Sequence, residues 1–196
     1  MIYTATITSA SLRLRESRIV ADLLLRGTDD ATWREVVVDQ NILKMKSTGS
    51  IRRVAGLLRA RIEPLGPGLW TMVRDGGRDQ ATQAVFSGAV KNSRLLGDFM
   101  DITMREQLRL FAEKLEPRMW NDYLAGCRGR DPDMPRWSDT TQAKLRSAVF
   151  SMLSETGYLE STRSMLIQNV FLDSRLADYL EDRGEHYVLR CMRVTE

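Results

Sequence analysis

Cysteine and histidine are scarce in this chain: its 196 residues include two cysteines and one histidine. Two cysteines are too few for a disulfide framework, and we expect Cys127 and Cys191 to be reduced and inert. No apolar run approaches the roughly 20 residues that a membrane-spanning helix needs, and residues 1–14 lack the apolar core of a signal peptide. These absences predict a cytoplasmic protein without a membrane partner.

The residue patterns that usually carry catalysis are also missing. His186 is the single histidine, and no Cys/His cluster has the spacing of a zinc site. No phosphate-binding loop, dinucleotide fingerprint or nucleophile elbow occurs. Asp131, Asp133 and Asp139 lie close together, but the arginines among them favour salt bridges that pin a loop, with a metal site as the alternative. We therefore predict no catalytic residue, no bound metal and no cofactor.

Aromatic residues make up only 7 % of the chain, whereas leucine and methionine are plentiful. This balance favours helix packing over a β-sandwich. Apolar positions repeat at helical spacing along most of the chain, and they predict a mainly α, multi-helix bundle. The longest predicted helix, Leu95 to Leu115, should be central to the core and should bury Phe111.

The two ends of the chain differ from this helical pattern. Tyr3 to Thr8 predicts a short extended arm, and Met165–Leu172 and Tyr187–Val194 predict strands around a short helix. With the helix before them, these strands resemble a small winged α/β element. A proline- and glycine-rich break at Gly126–Trp137 predicts a loop or domain junction. The predicted segments are an N-terminal helical unit (1–66), a central helical core (67–126) and a C-terminal helix with a β-hairpin unit (138–196).

Positive charge is concentrated in one stretch. The formal net charge of the whole chain is +3, yet residues 41–62 alone carry six basic residues and no acidic one, so the remainder sums to −3. A local excess of positive charge is typical of a nucleic-acid-binding surface. The six cations are Lys44, Lys46, Arg52, Arg53, Arg59 and Arg61.

This basic stretch has the layout of a helix-turn-helix. A helix capped by Asp29 or Asp30 precedes a turn, and a further helix ends near Glu63. In such units the second helix enters the major groove with its N-terminal residues against the base edges. The predicted DNA-binding residues are Lys44, Lys46, Ser47, Thr48, Ser50, Arg52, Arg53, Arg59, Arg61, Arg13 and Arg15.

Two features argue for a plainer interpretation of the same stretch. A basic helix face can simply keep a helix soluble, and the turn is longer than the usual three to four residues. Arg61 also falls on the apolar side of its helix, where it must either extend toward solvent or pair with an acid. The flanking arginines Arg13, Arg15, Arg18 and Arg26 could extend the patch or only flank it.

A second basic cluster lies near the predicted loop and carries a net charge of only +2 with the nearby acids. We expect its members to pair within the molecule, with partner contact or secondary DNA contact as the alternative. They are Arg128, Arg130, Arg136, Lys144 and Arg146.

Four segments together resemble the BrxA family of bacteriophage exclusion (BREX) systems. They are Tyr3-Thr-Ala-Thr-Ile-Thr-Ser9, Glu16-Ser-Arg-Ile-Val-Ala-Asp-Leu-Leu-Leu-Arg-Gly27, Ser93-Arg-Leu-Leu-Gly-Asp-Phe-Met-Asp101 and Cys127-Arg-Gly-Arg-Asp-Pro-Asp-Met-Pro135. The resemblance spans nearly the whole chain and keeps the order of the segments. These segments mark relatives and are not catalytic motifs.

The resemblance implies a small, mainly helical protein, similar in part to the NusB antitermination fold. It also implies binding of double-stranded DNA, no enzymatic activity, and work alongside a methyltransferase, an ATPase and other BREX proteins. Two alternatives stay open: an adaptor that docks an acidic protein without contacting DNA, and an RNA-binding protein in the manner of NusB, which fold analogy alone supports only weakly.

Overall fold

Helices dominate the computed structural model, which describes residues 2–7 and 11–195. The mainly α fold class is therefore confirmed. Two π-helical segments, Glu35–Asp39 and Phe99–Met104, continue α2 and join α6 to α7, and a 3-10 turn, Glu63–Leu65, follows α3. The α-helices are α1 (Leu14–Leu25), α2 (Asp30–Arg34), α3 (Thr48–Ile62), α4 (Pro67–Asp75), α5 (Arg78–Asn92), α6 (Arg94–Asp98), α7 (Arg105–Arg109), α8 (Pro117–Arg130), α9 (Asp139–Glu155), α10 (Ser174–Asp182) and α11 (His186–Met192).

The described residues form two compact units. One is continuous in sequence and takes residues 12–89; the other combines residues from 1–11 with those from 90–196. We call them the continuous unit and the two-segment unit. The division into residues 1–66, 67–126 and 138–196 stays a prediction.

A small apolar core organises the first half of the continuous unit. Leu23 of α1, Val37 of the π-helical segment, Leu43 of the following turn, and Ile51 and Ala55 of α3 are all buried against one another. Helix α1 also packs along α4, where Arg18 donates hydrogen bonds to the carbonyl oxygens of Arg74 (2.9 Å) and Gly76 (2.8 Å). Arg18 thus caps a helix end and is not part of an open basic patch.

Helix α5 is buried along most of its length, because every residue from 81 to 90 is less than a tenth exposed. Close packing explains why this helix is rich in small residues. A Cβ placed on Gly88 would lie 2.4 Å from the backbone oxygen of Arg61 in α3. The two backbones therefore approach each other at a point where only glycine fits.

The prediction of one long helix from Leu95 to Leu115 is wrong at its C-terminal end. The helical path stops at Arg109, and Phe111 adopts a φ of 54° and is 94 % exposed. Phe111 N–H donates to the Leu108 carbonyl and Ala112 N–H to the Gln107 carbonyl. This is the Schellman arrangement, in which a left-handed residue ends a helix, and it turns the Phe111 ring out of the core.

Four aromatic rings form the centre of the two-segment unit. Phe99 lies 5.1 Å from Tyr123 and 5.5 Å from Trp120, measured between ring centroids, and Phe150 lies 6.1 Å from Phe99. The rings come from three segments: the π-helical turn after α6, α8 and α9. Tilted and edge-on pairs of this kind are the preferred geometry for aromatic side chains, so they fix how these helices cross.

The predicted C-terminal strands are not formed. Residues 186–192 are helix α11, and Val188, Leu189, Cys191 and Met192 are buried at helical spacing. Packing thus overrides the strand preference of the local residues. The segment 165–172 contributes only isolated bridges, Lys114 with Leu166 and Leu159 with Ile167. Among the described residues there is accordingly no hairpin in the C-terminal segment.

Two smaller boundaries also differ from expectation. Helix α8 extends to Arg130, so the predicted break at Gly126 begins later, at Asp131. The extended arm is described only for residues 2–7, where Tyr3 and Ile7 are buried; Thr8 lies outside the described residues. Within the described chain, no helix has both the length and the apolar character needed to cross a membrane.

Two glycine replacements test the close approach of α3 and α5. Gly88→Ala should lower the free energy of unfolding by about 1–3 kcal/mol, because the added methyl group meets backbone that cannot move aside. Gly56→Ala is the matched control, since nothing lies within 4 Å of its added Cβ; it should be neutral or stabilise by up to about 1 kcal/mol. Urea unfolding of both variants measures this, and equal midpoints would contradict the packing.

Candidate nucleic-acid interface

The turn before α3 is held rigidly by one side chain. The Asn41 amide donates to the Met45 carbonyl (2.8 Å), and its oxygen accepts the Met45 N–H (2.9 Å). Lys44 N–H donates to the Asn41 carbonyl (2.8 Å), and both residues have a left-handed φ, 49° and 54°. This closed turn explains the extra length that argued against a helix-turn-helix, and it presents Lys44 at its surface.

Helix α3 begins with a conventional cap. Ser47 lies in extended conformation, and its hydroxyl oxygen accepts the N–H of Ser50 (3.3 Å) and contacts the Ser50 hydroxyl (3.0 Å). The predicted helix start is therefore confirmed to within a few residues. Because Ser47 and Ser50 satisfy each other, their hydroxyls act first as a cap. Thr48 is exposed at the first position of the helix.

Four cations near this helix start are exposed and unpaired. Lys44 and Lys46 lie in the turn, and Arg52 and Arg53 lie in the first two turns of α3. None of them makes an ion pair with any carboxylate in the described part of the chain. We call these four side chains the basic edge. Arg15 in α1 is also exposed and makes no ion pair there.

Arg59 is not available in the same way. Its guanidinium pairs with Asp30 (3.0 Å) and Glu63 (3.1 Å) and lies 4.8 Å from the centre of the Trp33 ring. Hydrogen bonds to Glu63 and then to Asp30 raise the pKa of this arginine. Arg59 therefore ties α3 to α2, and the predicted DNA contact would have to compete with two carboxylates.

Two other residues predicted to contact DNA, Arg61 and Arg13, are buried or half-buried in the fold. Arg61 lies on the inner face of α3 and is only 1 % exposed, so a phosphate cannot reach it, and its inclusion in the predicted site is wrong. Arg13 is half-buried at the start of α1, with Glu16 at 3.8 Å. Its charge is thus partly offset by a neighbour one helical turn away.

A cleft lies beside the basic edge. It has a volume of about 380 Å³ and runs between the π-helical segment and α3. Most of its lining residues are apolar, and two of them, Arg34 and Arg52, carry guanidinium groups. The lining residues are Trp33, Arg34, Val37, Val38, Arg52, Ala55 and Gly56.

Sequence reasoning missed a buried polar network in the two-segment unit. The Asp98 carboxylate accepts hydrogen bonds from the hydroxyls of Tyr3 (2.7 Å) and Tyr187 (2.9 Å), and it pairs with Arg94 (2.8 Å). Burial is the main cause of a raised pKa for both tyrosines, to about 12 for Tyr3. Both hydroxyls therefore stay protonated and donate to Asp98.

Arg130 and Asp131 complete this network from the end of α8. Arg130 donates to the Tyr3 hydroxyl (3.0 Å), and Asp131 accepts the backbone N–H groups of Ile2 and Tyr3. These backbone bonds lower the pKa of Asp131. Asp131 thus holds the N-terminal arm through these hydrogen bonds.

The second basic cluster is mostly unpaired. Arg130 belongs to the network just described, but its other members make no ion pair with any described residue, contrary to the expected internal pairing. Arg128, Arg136 and Lys144 are exposed, and Arg146 is half-buried.

The reactive side chains are either buried or isolated. Burial raises the pKa of Cys127, and it raises that of Cys191 to about 12, so both thiols stay protonated at neutral pH. His186 is exposed at the first residue of α11. Among the described residues, no three His, Cys, Asp or Glu side chains are grouped so that they could hold a metal ion.

Comparison with known proteins gives a consistent family assignment. The BrxA family model matches residues 1–184. The chain belongs to the BrxA family. It is similar to "BREX protein BrxA" of Paramagnetospirillum magneticum, with 44 % identity over 98 % of this chain and 97 % of the relative. It is also similar to "BREX protein BrxA" of Escherichia coli O9:H4, with 32 % identity over 89 % and 82 % of the two chains.

A solved structure has the same fold. The crystal structure of an uncharacterized protein from Magnetospirillum magneticum superposes with a TM-score of 0.93 at 42 % sequence identity, covering 99 % of this chain and 100 % of that one. The BrxA resemblance seen in the sequence is therefore confirmed. Three of the four segments that carried it, around Tyr3, Asp98 and Asp131, meet in the buried network.

Acidification tests the role of Asp131. Because its folded pKa is lowered, its carboxylate stabilises the fold above the unfolded pKa of about 3.9, and this contribution is lost as pH falls through the folded value. Asp131→Asn should therefore be less stable than wild type at pH 7 and should approach wild type near pH 2–3 in urea unfolding. Asp133→Asn, which changes an exposed neighbour, should follow the wild-type profile; a constant gap for Asp131→Asn would contradict the assignment.

Proposed function

We propose that this chain binds double-stranded DNA through the basic edge, as a non-catalytic component of a BREX phage-defence system. The observation that carries the proposal is that Lys44, Lys46, Arg52 and Arg53 are exposed and have no carboxylate partner among the described residues. These side chains have no internal ion pair to break when they bind phosphate, and their binding releases counterions from the DNA.

The local architecture supports a duplex partner. The four cations lie within ten residues, in a turn closed by Asn41 and at the start of a 15-residue helix. We infer that this helix acts as a recognition helix, whose N-terminal residues approach base edges in the major groove. Lysine ammonium groups suit phosphate as point charges, whereas Arg52 and Arg53 can bind phosphate or guanine in bidentate fashion.

The proposed contacts are a revised subset of the sequence prediction. Lys44, Lys46, Arg52 and Arg53 form the centre, with Thr48 exposed beside them and Arg15 on α1 as a flanking contact. Ser47 and Ser50 support the helix start through their mutual cap. Arg59 acts through the structure, by holding α3 to α2, and Arg61 and Arg13 are not included.

The partners follow from the family. Relatives of this chain are named "BREX protein BrxA", and we infer that it works with other BREX proteins, among them the methyltransferase and the ATPase. The protonated buried thiols and the isolated His186 are consistent with a binding role. Catalysis would then be performed by those partners on DNA that this chain helps to hold.

Two arginines on one side of α3 provide a matched test. Arg52→Gln should weaken binding to a duplex oligonucleotide and reduce the slope of log affinity against log salt by about 0.9, because one phosphate contact is lost. Arg59→Gln makes the same chemical change two helical turns away, but at an ion-paired site, and should leave the slope unchanged. Fluorescence anisotropy across salt concentrations measures both, and identical slopes for the two variants would refute the assignment of contacts.

Charge reversal tests the class of partner. Arg52→Glu with Arg53→Glu should abolish retardation of duplex DNA in a gel-shift assay while the circular dichroism spectrum stays helical. Equal lengths of duplex DNA, duplex RNA and single strands, used as competitors, should rank duplex DNA first. Failure of the wild-type protein to bind duplex DNA at low salt would favour an adaptor, and preference for RNA would favour a NusB-like role.

A further inference from the structure

The two-segment unit contains a cavity that the proposed DNA contact does not use. It has a volume of about 570 Å³ and lies between the start of α8, the middle of α9 and the turn that follows Glu160. This volume is within the range of small-molecule sites, about 300–1,000 Å³. Its lining residues are Pro117, Arg146, Ser147, Phe150, Ser151, Thr162, Arg163 and Met165.

The charge of this cavity has one sign. Arg146 comes from α9 and Arg163 from the turn after Glu160, and the lining includes no carboxylate. Neither guanidinium makes an ion pair with a described residue. Two arginines from different elements line this cavity, and the Glu155 carboxylate, which accepts the Ser151 hydroxyl, is not among the lining residues. The two guanidinium groups favour an anion. Guanidinium groups match phosphate oxygens in bidentate geometry.

The neutral part of the lining adds donors and an apolar wall. The Ser151 hydroxyl donates to Glu155 (3.2 Å), which leaves the hydroxyls of Ser147 and Thr162 to meet an anion. Apolar surface comes from Pro117, Phe150 and Met165. A bare inorganic anion would fill only a small part of such a cavity, whereas a phosphate ester with an organic ring would use both surfaces.

The turn that carries Arg163 is rigid before any ligand arrives. Ser161 accepts the Ser164 N–H on its hydroxyl (3.0 Å) and the Met165 N–H on its carbonyl (3.0 Å). The Met165 carbonyl in turn accepts the Leu115 N–H (2.9 Å), and Met165 keeps a left-handed φ of 57°. A pre-organised wall lowers the entropic cost of binding.

We propose that this cavity binds a phosphate monoester of nucleotide size, with the phosphate between Arg146 and Arg163 and the ring against the apolar wall. This site is separate from the basic edge, so the proposal stands independently of DNA binding. It adds a small-molecule ligand to a protein whose family name implies none.

Titration calorimetry of the full chain with adenosine 5′-monophosphate tests the proposal. The nucleotide should bind at least tenfold more tightly than either adenosine or inorganic phosphate. Adenosine lacks the phosphate that the two arginines bind, and inorganic phosphate lacks the ring that contacts the apolar wall. Arg146→Gln and Arg163→Gln should each weaken nucleotide binding about tenfold or more, which is the typical loss for a charged hydrogen bond. Arg175→Gln removes an exposed arginine of the same unit outside the cavity and should bind like wild type.

Three results would overturn the proposal. Absence of heat with the nucleotide at millimolar concentration excludes a site of this class. Equal affinity for nucleotide and inorganic phosphate would show an anion site without a role for the apolar wall. Loss of nucleotide binding in Arg52→Glu with Arg53→Glu, but not in the Arg146 or Arg163 variants, would assign the phosphate to the basic edge.

Discussion

Burial of one face of α3 determines which side chains of this helix reach solvent and can bind a partner. Ile51, Val54, Ala55, Leu58 and Ile62 are all less than a twentieth exposed, and their packing fixes the rotation of the helix about its axis. Every other side chain then has its direction set by the helical period. Arg52 and Arg53 are directed to solvent for this reason, whereas Arg61 is carried inward with the apolar residues.

The exposed part of this helix is a rigid platform because several polar contacts support it. Asn41 closes the preceding turn, Ser47 caps the helix, and Arg59 connects it to α2 through Asp30. These bonds lie at the edges of the apolar core formed by Leu23 and its neighbours. A binding surface placed on such supports loses little conformational entropy when it meets a partner.

The two-segment unit depends on a different kind of interaction. Asp98 is nearly buried, and its carboxylate is compensated by two tyrosine hydroxyls and one arginine. Removing one partner of a buried charge is costly, which gives a physical reason why segments far apart in sequence act as family markers. The same unit contains the cavity lined by Arg146 and Arg163. Arginines of this unit therefore stabilise the fold in the Asp98 network, and others would bind the proposed ligand in the cavity.

Much of this protein could be predicted from its sequence. Helical spacing of apolar residues, a cap such as Asp29 and the local excess of positive charge are properties of neighbouring residues, and they predicted most helices and the basic stretch. They failed at α11, where packing overruled local preference, and at Phe111, where a left-handed residue ends the helix.

The final availability of these cations was decided by tertiary structure. Arg59 meets Asp30, which lies 29 residues earlier in the chain, and Arg61 lies where α5 approaches at Gly88. The sequence places six positive charges in residues 41–62. Whether each guanidinium contacts water, a carboxylate or the core depends on residues that only folding brings beside it.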